Sequence, residues 1–120
     1  MADHSLTAQG ERALIGLGQP QSDAKAFALF TAAAANGDSF AENELGYLYA
    51  AGRGTKRDDS KAFYWYNQAA NHGLVTAQYN VGLMYQYGLG TKVDSAMAKV
   101  YFTKAASAHF EPAEAALNAL

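Results

Sequence analysis

The sequence contains no cysteine, only two prolines, and no apolar run of the roughly 20 residues needed to span a bilayer. Without cysteine the chain has neither disulfides nor thiolate metal sites nor a cysteine nucleophile. Nine basic and 11 acidic side chains give a formal net charge of −2, so no strong basic field is available for nucleic acid or an anionic membrane. We therefore expect no nucleic-acid partner and no membrane insertion.

The first residues also lack a targeting signal. Residues 1–5 contain neither the basic segment nor the start of the apolar segment that a secretory leader requires. On this ground we expect a cytoplasmic protein, or a periplasmic one if a leader was removed. The length of 120 residues suits one domain with a sizeable core.

The composition favours one kind of secondary structure. The chain has 26 alanines against 11 β-branched residues, and half of its residues are hydrophobic. Alanine is the best helix former, whereas β-branched side chains favour strands. The composition therefore predicts an all-α protein.

A repeat of 36 residues organises the chain. Residues 23–58 and 59–94 align without a gap, and 15 of the 36 positions are identical. The same offset continues into 95–120 and reaches back into 1–22, where glycines coincide. We predict a single repeat domain with a degenerate N-terminal half-repeat (1–22), two full repeats (23–58 and 59–94) and a truncated C-terminal repeat (95–120).

Within each unit the signals alternate between helix, loop and helix. Gly52 and Gly88 follow apolar positions at helical spacing and are placed to end helices with positive φ. Ser22, Asp58 and Asp94 form a column of residue types preferred at helix N-caps. The predicted helices, seven in all, span 4–15, 22–36, 40–51, 59–72, 75–87, 95–108 and 112–119.

Repeated glycines and aromatic rings predict how these helices pack. Gly46 and Gly82 stand in the middle of helices, at a propensity cost of about 1 kcal/mol each relative to alanine. Such glycines indicate that a neighbouring backbone or ring comes close. The rings that the period places in one column are Phe30, Tyr66 and Phe102. We also expect Trp65 to be part of the core.

These residues resemble a known repeat. Residues 62–90 carry the pattern Ala-x-x-Trp-Tyr-x-x-Ala-Ala-x-x-Gly-x-x-x-Ala-Gln-Tyr-Asn-x-Gly-x-Met-Tyr-x-x-Gly-x-Gly, which is similar to the Sel1-like repeat, a relative of the tetratricopeptide repeat with a longer, glycine-containing loop. Leu29-Phe30 in place of Trp-Tyr and His109 in place of a glycine depart from it. The resemblance implies a right-handed superhelical solenoid of stacked helical hairpins that acts as an adaptor or scaffold for other proteins.

No set of residues indicates catalysis or metal binding. The three histidines, His4, His72 and His109, show no metal-ligand spacing, and no Gly-x-Ser-x-Gly motif is present. Several carboxylates could be paired on paper as in a glycosidase, but nothing selects one pair. We expect no enzyme activity, no metal and no cofactor.

The glycine-containing loops do not match a phosphate-binding loop. In the run 52–56 the glycines are one residue apart and follow a helix, whereas a P-loop follows a strand and opens a helix directly. We interpret this run as a structural loop between helices. The basic residues Arg53, Lys56 and Arg57 are expected to be solvated surface charges.

The surface expected to bind a partner comes from the resemblance to the tetratricopeptide repeat, in which the first helix of each hairpin lines the concave face. Aligning Gly46 with Gly82 gives the inward-facing positions, which differ between units while the core columns agree. Tyrosine gives rigid contact area and amides give adaptable hydrogen bonds. The predicted partner-binding residues are Asn43, Glu44, Tyr47, Thr76, Tyr79, Asn80, Leu83, Gln86 and Tyr87, with Phe40 and Ala50 beside them.

Three functions agree with these observations. The first is a non-enzymatic adaptor, bacterial in origin, that binds a protein or peptide in its concave groove. The second is an envelope-associated enzyme or a receptor for a glycan or another small ligand. The third is a partner protein that regulates or neutralises an effector. The sequence identifies no particular partner.

Overall fold

The structure is a computed structural model that describes residues 2–120, with side chains from Leu6 onward. His4, one of the three histidines considered above, has a side chain outside this described part. The described chain forms seven helices and no strand, which confirms the all-α prediction. The helices are α1 (Ala2–Ile15), α2 (Asp23–Ala35), α3 (Ser39–Ala51), α4 (Asp59–Asn71), α5 (Val75–Tyr87), α6 (Ser95–Ser107) and α7 (Glu111–Ala119).

The helix boundaries follow from capping residues. Ser22, Asp58 and Asp94 are N-caps, and each side chain accepts a hydrogen bond of 3.0–3.1 Å from the backbone N–H three residues later. Gly52 and Gly88 end α3 and α5 with φ of 67° and 68°. These five caps confirm the prediction. They fix the length of the loops at 52–58 and 88–94.

The helices pair into hairpins, α1 with α2, α3 with α4 and α5 with α6, because a glycine in the first helix lets a ring of the second approach. A Cβ added at Gly46 would lie 2.6 Å from Tyr66 Cδ1, and one added at Gly82 would lie 2.6 Å from Phe102 Cδ1. Gly10 stands in the same relation to Phe30, at 2.8 Å from its Cε1. The predicted match of glycines with rings is confirmed for Gly46 and Gly82, and Gly10 shows the same packing in the first hairpin.

Successive hairpins meet at two joints. The first joint is the contact of α2 with the loop at 52–58, and the second is the contact of α4 with the loop at 88–94. Each joint has an edge-on pair of rings, Phe27 with Tyr49 at 5.5 Å and Phe63 with Tyr85 at 5.3 Å between centroids. Stacking through such neighbour contacts is what makes a repeat protein elongated, and the principal extents are 42 × 28 × 22 Å.

The core consists mainly of repeated alanines with the ring column. Phe30 and Phe102 are fully buried, and Tyr66 is 7% exposed. Trp65 is only partly buried, because it packs on the side of the core cluster formed by α1, α2 and α3 and stands edge-on to Tyr64 at 5.1 Å. The expectation of a core tryptophan is therefore met only in part.

Candidate functional site

The predicted partner-binding residues all lie outside the core, on α3 and α5. Every one of them is at least partly exposed, whereas the repeated positions of the same helices, such as Leu45 and Val81, are buried. We call these residues, together with Glu11 of α1, the odd-helix face. The odd-helix face comprises Glu11, Phe40, Asn43, Glu44, Tyr47, Ala50, Thr76, Tyr79, Asn80, Leu83, Gln86 and Tyr87.

Two contacts join neighbouring odd-numbered helices across this face. The side-chain Nδ2 of Asn80 donates a hydrogen bond of 3.0 Å to Oδ1 of Asn43, which links α5 to α3. The carboxyl groups of Glu44 on α3 and Glu11 on α1 lie close enough to affect each other. These contacts place residues from three helices side by side on one surface.

The Glu11–Glu44 pair has unusual electrostatics. Partial burial, followed by the like charge of Glu11 and the hydrogen bond to it, raises the pKa of Glu44 to about 7 from 4.5. Two adjacent carboxyl groups do not both ionise easily, so Glu44 releases its proton at a higher pH than an isolated glutamate. The sequence-based selection missed Glu11, although the 36-residue offset aligns it with Tyr47 and Leu83.

Two tyrosines border this acidic pair. Tyr47 is 39% exposed, and its hydroxyl accepts a hydrogen bond of 3.0 Å from Nη1 of Arg53. Tyr66 belongs to the ring column of the core, where the other hairpins have phenylalanine. Burial, and then the nearby charges of Glu44 and Tyr47, raise the pKa of Tyr66 well above its ordinary value. The ring of Tyr66 packs on Gly46 of α3, the helix that also carries Glu44 and Tyr47.

Tyr79 and Tyr87 of α5 differ in how much of each side chain is exposed to solvent. Tyr79 is partly buried, with its ring 5.7 Å from Phe102 and 5.4 Å from Phe110. Tyr87 is 64% exposed. Of these two predicted partner-binding residues, Tyr87 is the more exposed. Of the remaining predicted residues, Thr76 is exposed, and Leu83 and Gln86 are partly exposed.

The basic loop at 52–58 has a structural role. The guanidinium of Arg53 lies 2.7 Å from the carboxylate of Asp23, and this bond raises the pKa of Arg53 and lowers that of Asp23. Arg57 pairs with Asp59 at 3.2 Å. Two of the three cations in the loop are therefore paired with carboxylates that begin even-numbered helices.

Among the side chains from Leu6 onward, His72 and its acidic neighbour Glu42 make a contact between helices. His72 Nδ1 lies 2.7 Å from Oε1 of the buried Glu42, a contact that ties the end of α4 to the start of α3. Among the side chains from Leu6 onward, no three His, Cys, Asp or Glu groups are placed to hold a metal ion. Within residues 2–120, each helix is too short or too polar to cross a lipid bilayer.

Comparison with known proteins identifies the repeat. The profile of the Sel1 repeat matches residues 10–38, 39–74 and 75–110. The second and third matches begin at α3 and α5, so the family unit starts with an odd-numbered helix, whereas the units predicted above start with an even-numbered one. Both divisions have a period of 36 residues. No match was found among curated protein sequences.

Several solved structures share the fold. A Sel1 repeat protein from Oxalobacter formigenes is 36% identical with a TM-score of 0.89, over 98% of this chain and 89% of that one. The protective antigen c5321 of uropathogenic Escherichia coli is 32% identical with a TM-score of 0.86, over 88% of this chain but only 22% of its own length. Cysteine-rich protein B of Helicobacter pylori shares the fold with a TM-score of 0.81. It is 22% identical over 97% of this chain and 90% of that one.

Proposed function

The chain belongs to the Sel1 repeat family, and we propose that it is a non-enzymatic interaction module that holds a partner polypeptide against the odd-helix face. Sel1 repeat proteins are generally scaffolds for protein–protein interactions, and the family is typically non-catalytic. The observation that supports this face in particular is its variation between hairpins. Asn43 aligns with Tyr79, Glu44 with Asn80 and Tyr47 with Leu83, while the buried positions between them repeat.

The chemistry of the face suits recognition of a polypeptide. Tyr47 and Tyr87 offer exposed rings, which give large contact area at a low entropic cost. The hydrogen bond between Asn43 and Asn80 does not use the NH2 group of Asn43 or the carbonyl oxygen of Asn80, and a peptide backbone needs both a donor and an acceptor. Rings and amides together can therefore bind both side chains and main chain.

The test compares two tyrosines of similar exposure on different helices. Tyr87 of α5 is 64% exposed and Tyr64 of α4 is 53% exposed. The partner would be captured from a lysate of the source organism with the full chain and identified by mass spectrometry. Titration calorimetry with the purified partner then measures Tyr87→Ala and Tyr64→Ala, each checked for folding by circular dichroism.

We expect Tyr87→Ala to weaken binding by about 1–3 kcal/mol, because interface energy concentrates in exposed aromatic anchors, and Tyr64→Ala to leave it unchanged. A triple variant of Arg53, Lys56 and Arg57 should change affinity by only a few tenths of a kcal/mol, because charges at the rim of an interface mainly affect association rate. Loss of binding in the loop variant with normal binding by Tyr87→Ala would move the site to the loop edge. Capture of a glycan or another small molecule in place of a protein would favour the receptor alternative.

A further inference from the structure

We propose that the contact between His72 and Glu42 is a pH-sensitive tie. It holds the turn between α4 and α5 against α3 while His72 is protonated, and it loosens as the histidine loses its charge. This inference goes beyond the proposed function, because it concerns the folded chain with no partner bound. It adds a regulatory contact at the point where the third hairpin is attached to the second.

Glu42 is the one charged residue that the described part of the chain buries. It is only 4% exposed, and its Oε1 lies 2.7 Å from Nδ1 of His72, which is 30 residues away in the sequence. A buried carboxylate is costly unless it is paired, so this contact is required where the residue stands. The side chain of His72 is 47% exposed, and protons from solvent can therefore reach the pair.

The helix ends favour a charge on both partners. Glu42 lies in the first turn of α3, where the positive end of the helix dipole stabilises a carboxylate. His72 is the C-cap of α4, whose last turn contains no basic residue, and the negative end of that helix stabilises an imidazolium. The contact is therefore an ion pair when both ring nitrogens of His72 are protonated and a weaker, neutral-histidine hydrogen bond when one is not.

The equivalent turns in the other two units are tied by groups that keep their charge between pH 5 and 8. In the turn at 36–38, the hydroxyl of Thr7 on α1 donates a hydrogen bond of 2.6 Å to Oδ2 of Asp38. In the turn at 108–110, the ring of Phe110 lies 5.4 Å from that of Tyr79 on α5. These two ties occupy the same positions of the 36-residue repeat. Each one fastens a turn to the odd-numbered helix that precedes it.

The middle turn, at 72–74, has neither kind of tie at those positions. The residues there are Asn43 and Leu74, and the side chain of Asn43 is bonded to Asn80 of α5. Leu74 is the N-cap of α5 and has no side-chain capping bond. The contact of His72 with Glu42 therefore fastens this turn to α3, and it is the one of the three ties that changes charge between pH 5 and 8.

Other titratable groups lie at the same end of the helices. Asp38 stands one turn before Glu42 on α3, where its carboxylate accepts bonds from two backbone N–H groups and from Thr7. The last turn of α2 contains no basic residue, and the first turn of α5 contains no acidic one. The groups on the remaining elements at this end are Lys104, His109 and Glu111, with Asp3 and His4, whose side chains lie outside the described part.

Amide hydrogen exchange of the full protein, measured by NMR at pH 5.5 and pH 8 and corrected for intrinsic rates, tests the tie. The reporters are the bonded N–H groups of Gly73 and Leu74, and the references are the equivalent groups of Gly37 and Asp38. Protection of the middle turn should fall about fivefold relative to the reference turn as the pH rises, because a charge-assisted bond at a partly exposed site becomes a neutral one. An unchanged ratio would overturn the proposal.

Two variants give the tie the residues of neighbouring units. Glu42→Gln introduces the residue type of the aligned Gln78, and His72→Asn introduces that of the aligned Asn36. Both residue types already occur at these positions of the repeat, so both variants should fold, which circular dichroism checks. In each variant the protection ratio should be the same at the two pH values to within about twofold. A variant that keeps the wild-type change would contradict the tie.

Three control variants exclude the other groups that titrate in this range. His4→Asn and His109→Asn remove the other histidines, and Glu44→Gln removes the carboxyl group whose pKa is raised to about 7. All three should retain the wild-type change in the protection ratio. Loss of the change in any of them would assign the pH dependence to that residue and overturn the role of His72. No partner is present in these measurements, so their outcome is independent of the capture experiment that decides the proposed function.

Discussion

The two joints between hairpins close with the same residues but differ in the residues that face solvent. At the first joint, Gly54 lies against the backbone of Asp23 and Cβ of Phe27. At the second joint, Gly90 lies in the same way against Asp59 and Phe63. The joints differ in the residue that precedes this glycine, which is Arg53 in the first loop and Leu89 in the second.

This difference between the loops separates the contacts that hold the hairpins together from the residues that vary between the joints. Arg53 reaches Asp23 and Tyr47, whereas Leu89 packs against the core cluster of α4 and α5. On the odd-helix face the first pair of helices meets through Glu11 and Glu44, and the second through amides. The repeated positions make the same contacts at both joints, and the unrepeated ones give each joint its own surface chemistry.

The loop that contains Gly18 shows what a joint contributes to stability. Gly18 has a φ of 71°, close to the 73° of Gly54 and the 71° of Gly90, but no atom lies within 4 Å of a Cβ added there. Replacing all three by alanine separates backbone strain from crowding. Gly18→Ala should destabilise by about 1–2 kcal/mol from strain alone, and the other two by about 1–3 kcal/mol more, because their Cβ would overlap a carbonyl group. Urea unfolding measures the series, and equal losses at all three positions would contradict the role of the joints.

Crowding within a hairpin should have a smaller effect. Gly82 has a helical φ, so Gly82→Ala gains about 1 kcal/mol in helix propensity, yet its Cβ would lie 2.6 Å from the ring of Phe102. We expect a net destabilisation of about 1–2 kcal/mol. Adding Phe102→Leu should recover part of that loss. A double-mutant cycle with no coupling between the two positions would be inconsistent with ring-on-glycine packing.

The acidic pair Glu11–Glu44, between α1 and α3, gives the protein a pH dependence that the amide pair Asn43–Asn80, between α3 and α5, cannot give. The folded protein holds the proton of Glu44 up to a pKa of about 7, whereas the unfolded chain releases it near 4.5. Its contribution is therefore present at low pH and is lost as the pH rises from 4.5 to 7. Glu44→Gln should stabilise the protein relative to wild type at pH 7.5 more than at pH 4.5, by on the order of 1 kcal/mol after allowance for partial exposure. The control is Asn80→Asp, which places an acid at the position aligned with Glu44 but without a Glu11 opposite; it tests whether that acid alone makes stability depend on pH in the same way. An equal effect of Glu44→Gln on stability at both pH values would show that the pair is ionised throughout.

The smallest effect is expected at the arginine of the first joint. Arg53→Leu gives the first loop the residue type that Leu89 provides in the second. It also removes the ion pair between Arg53 and Asp23, whose side chains are each 33% exposed. Exposed ion pairs contribute about 0–1 kcal/mol, so thermal unfolding should shift by a few degrees at most. A loss above about 2 kcal/mol would show that the two joints differ in stability and not only in surface chemistry.

The repeat made the fold predictable from sequence, because each structural contact occurs at least twice. Gly46 with Tyr66 and Gly82 with Phe102 are visible as aligned columns, and so are the caps Asp58 and Asp94. The helix boundaries predicted from them agree with the structure to within two residues.

A contact that occurs only once in the chain has no equivalent in another repeat unit, so the alignment of the units cannot reveal it. Glu11 lies in the degenerate first unit, and its partner Glu44 aligns with an asparagine. The 36-residue spacing predicts a core ring at position 66, but it gives no information about the surroundings of the Tyr66 hydroxyl. The packing of Tyr79 on Phe110 depends on the turn between α6 and α7, where His109 has a φ of 62° in place of the expected glycine. The partner-binding role of the odd-helix face itself stays a prediction.

Site-specific crosslinking tests the binding face most directly. A photoreactive phenylalanine analogue is placed at Tyr87 on α5 in one variant and at Tyr64 on α4 in another, both positions being more than half exposed at 64% and 53%. Irradiation with the captured partner should give a crosslink from the position of Tyr87 and none from that of Tyr64. A crosslink from Tyr64 alone, with Tyr87 silent in a folded and partner-bound protein, would contradict binding at the odd-helix face.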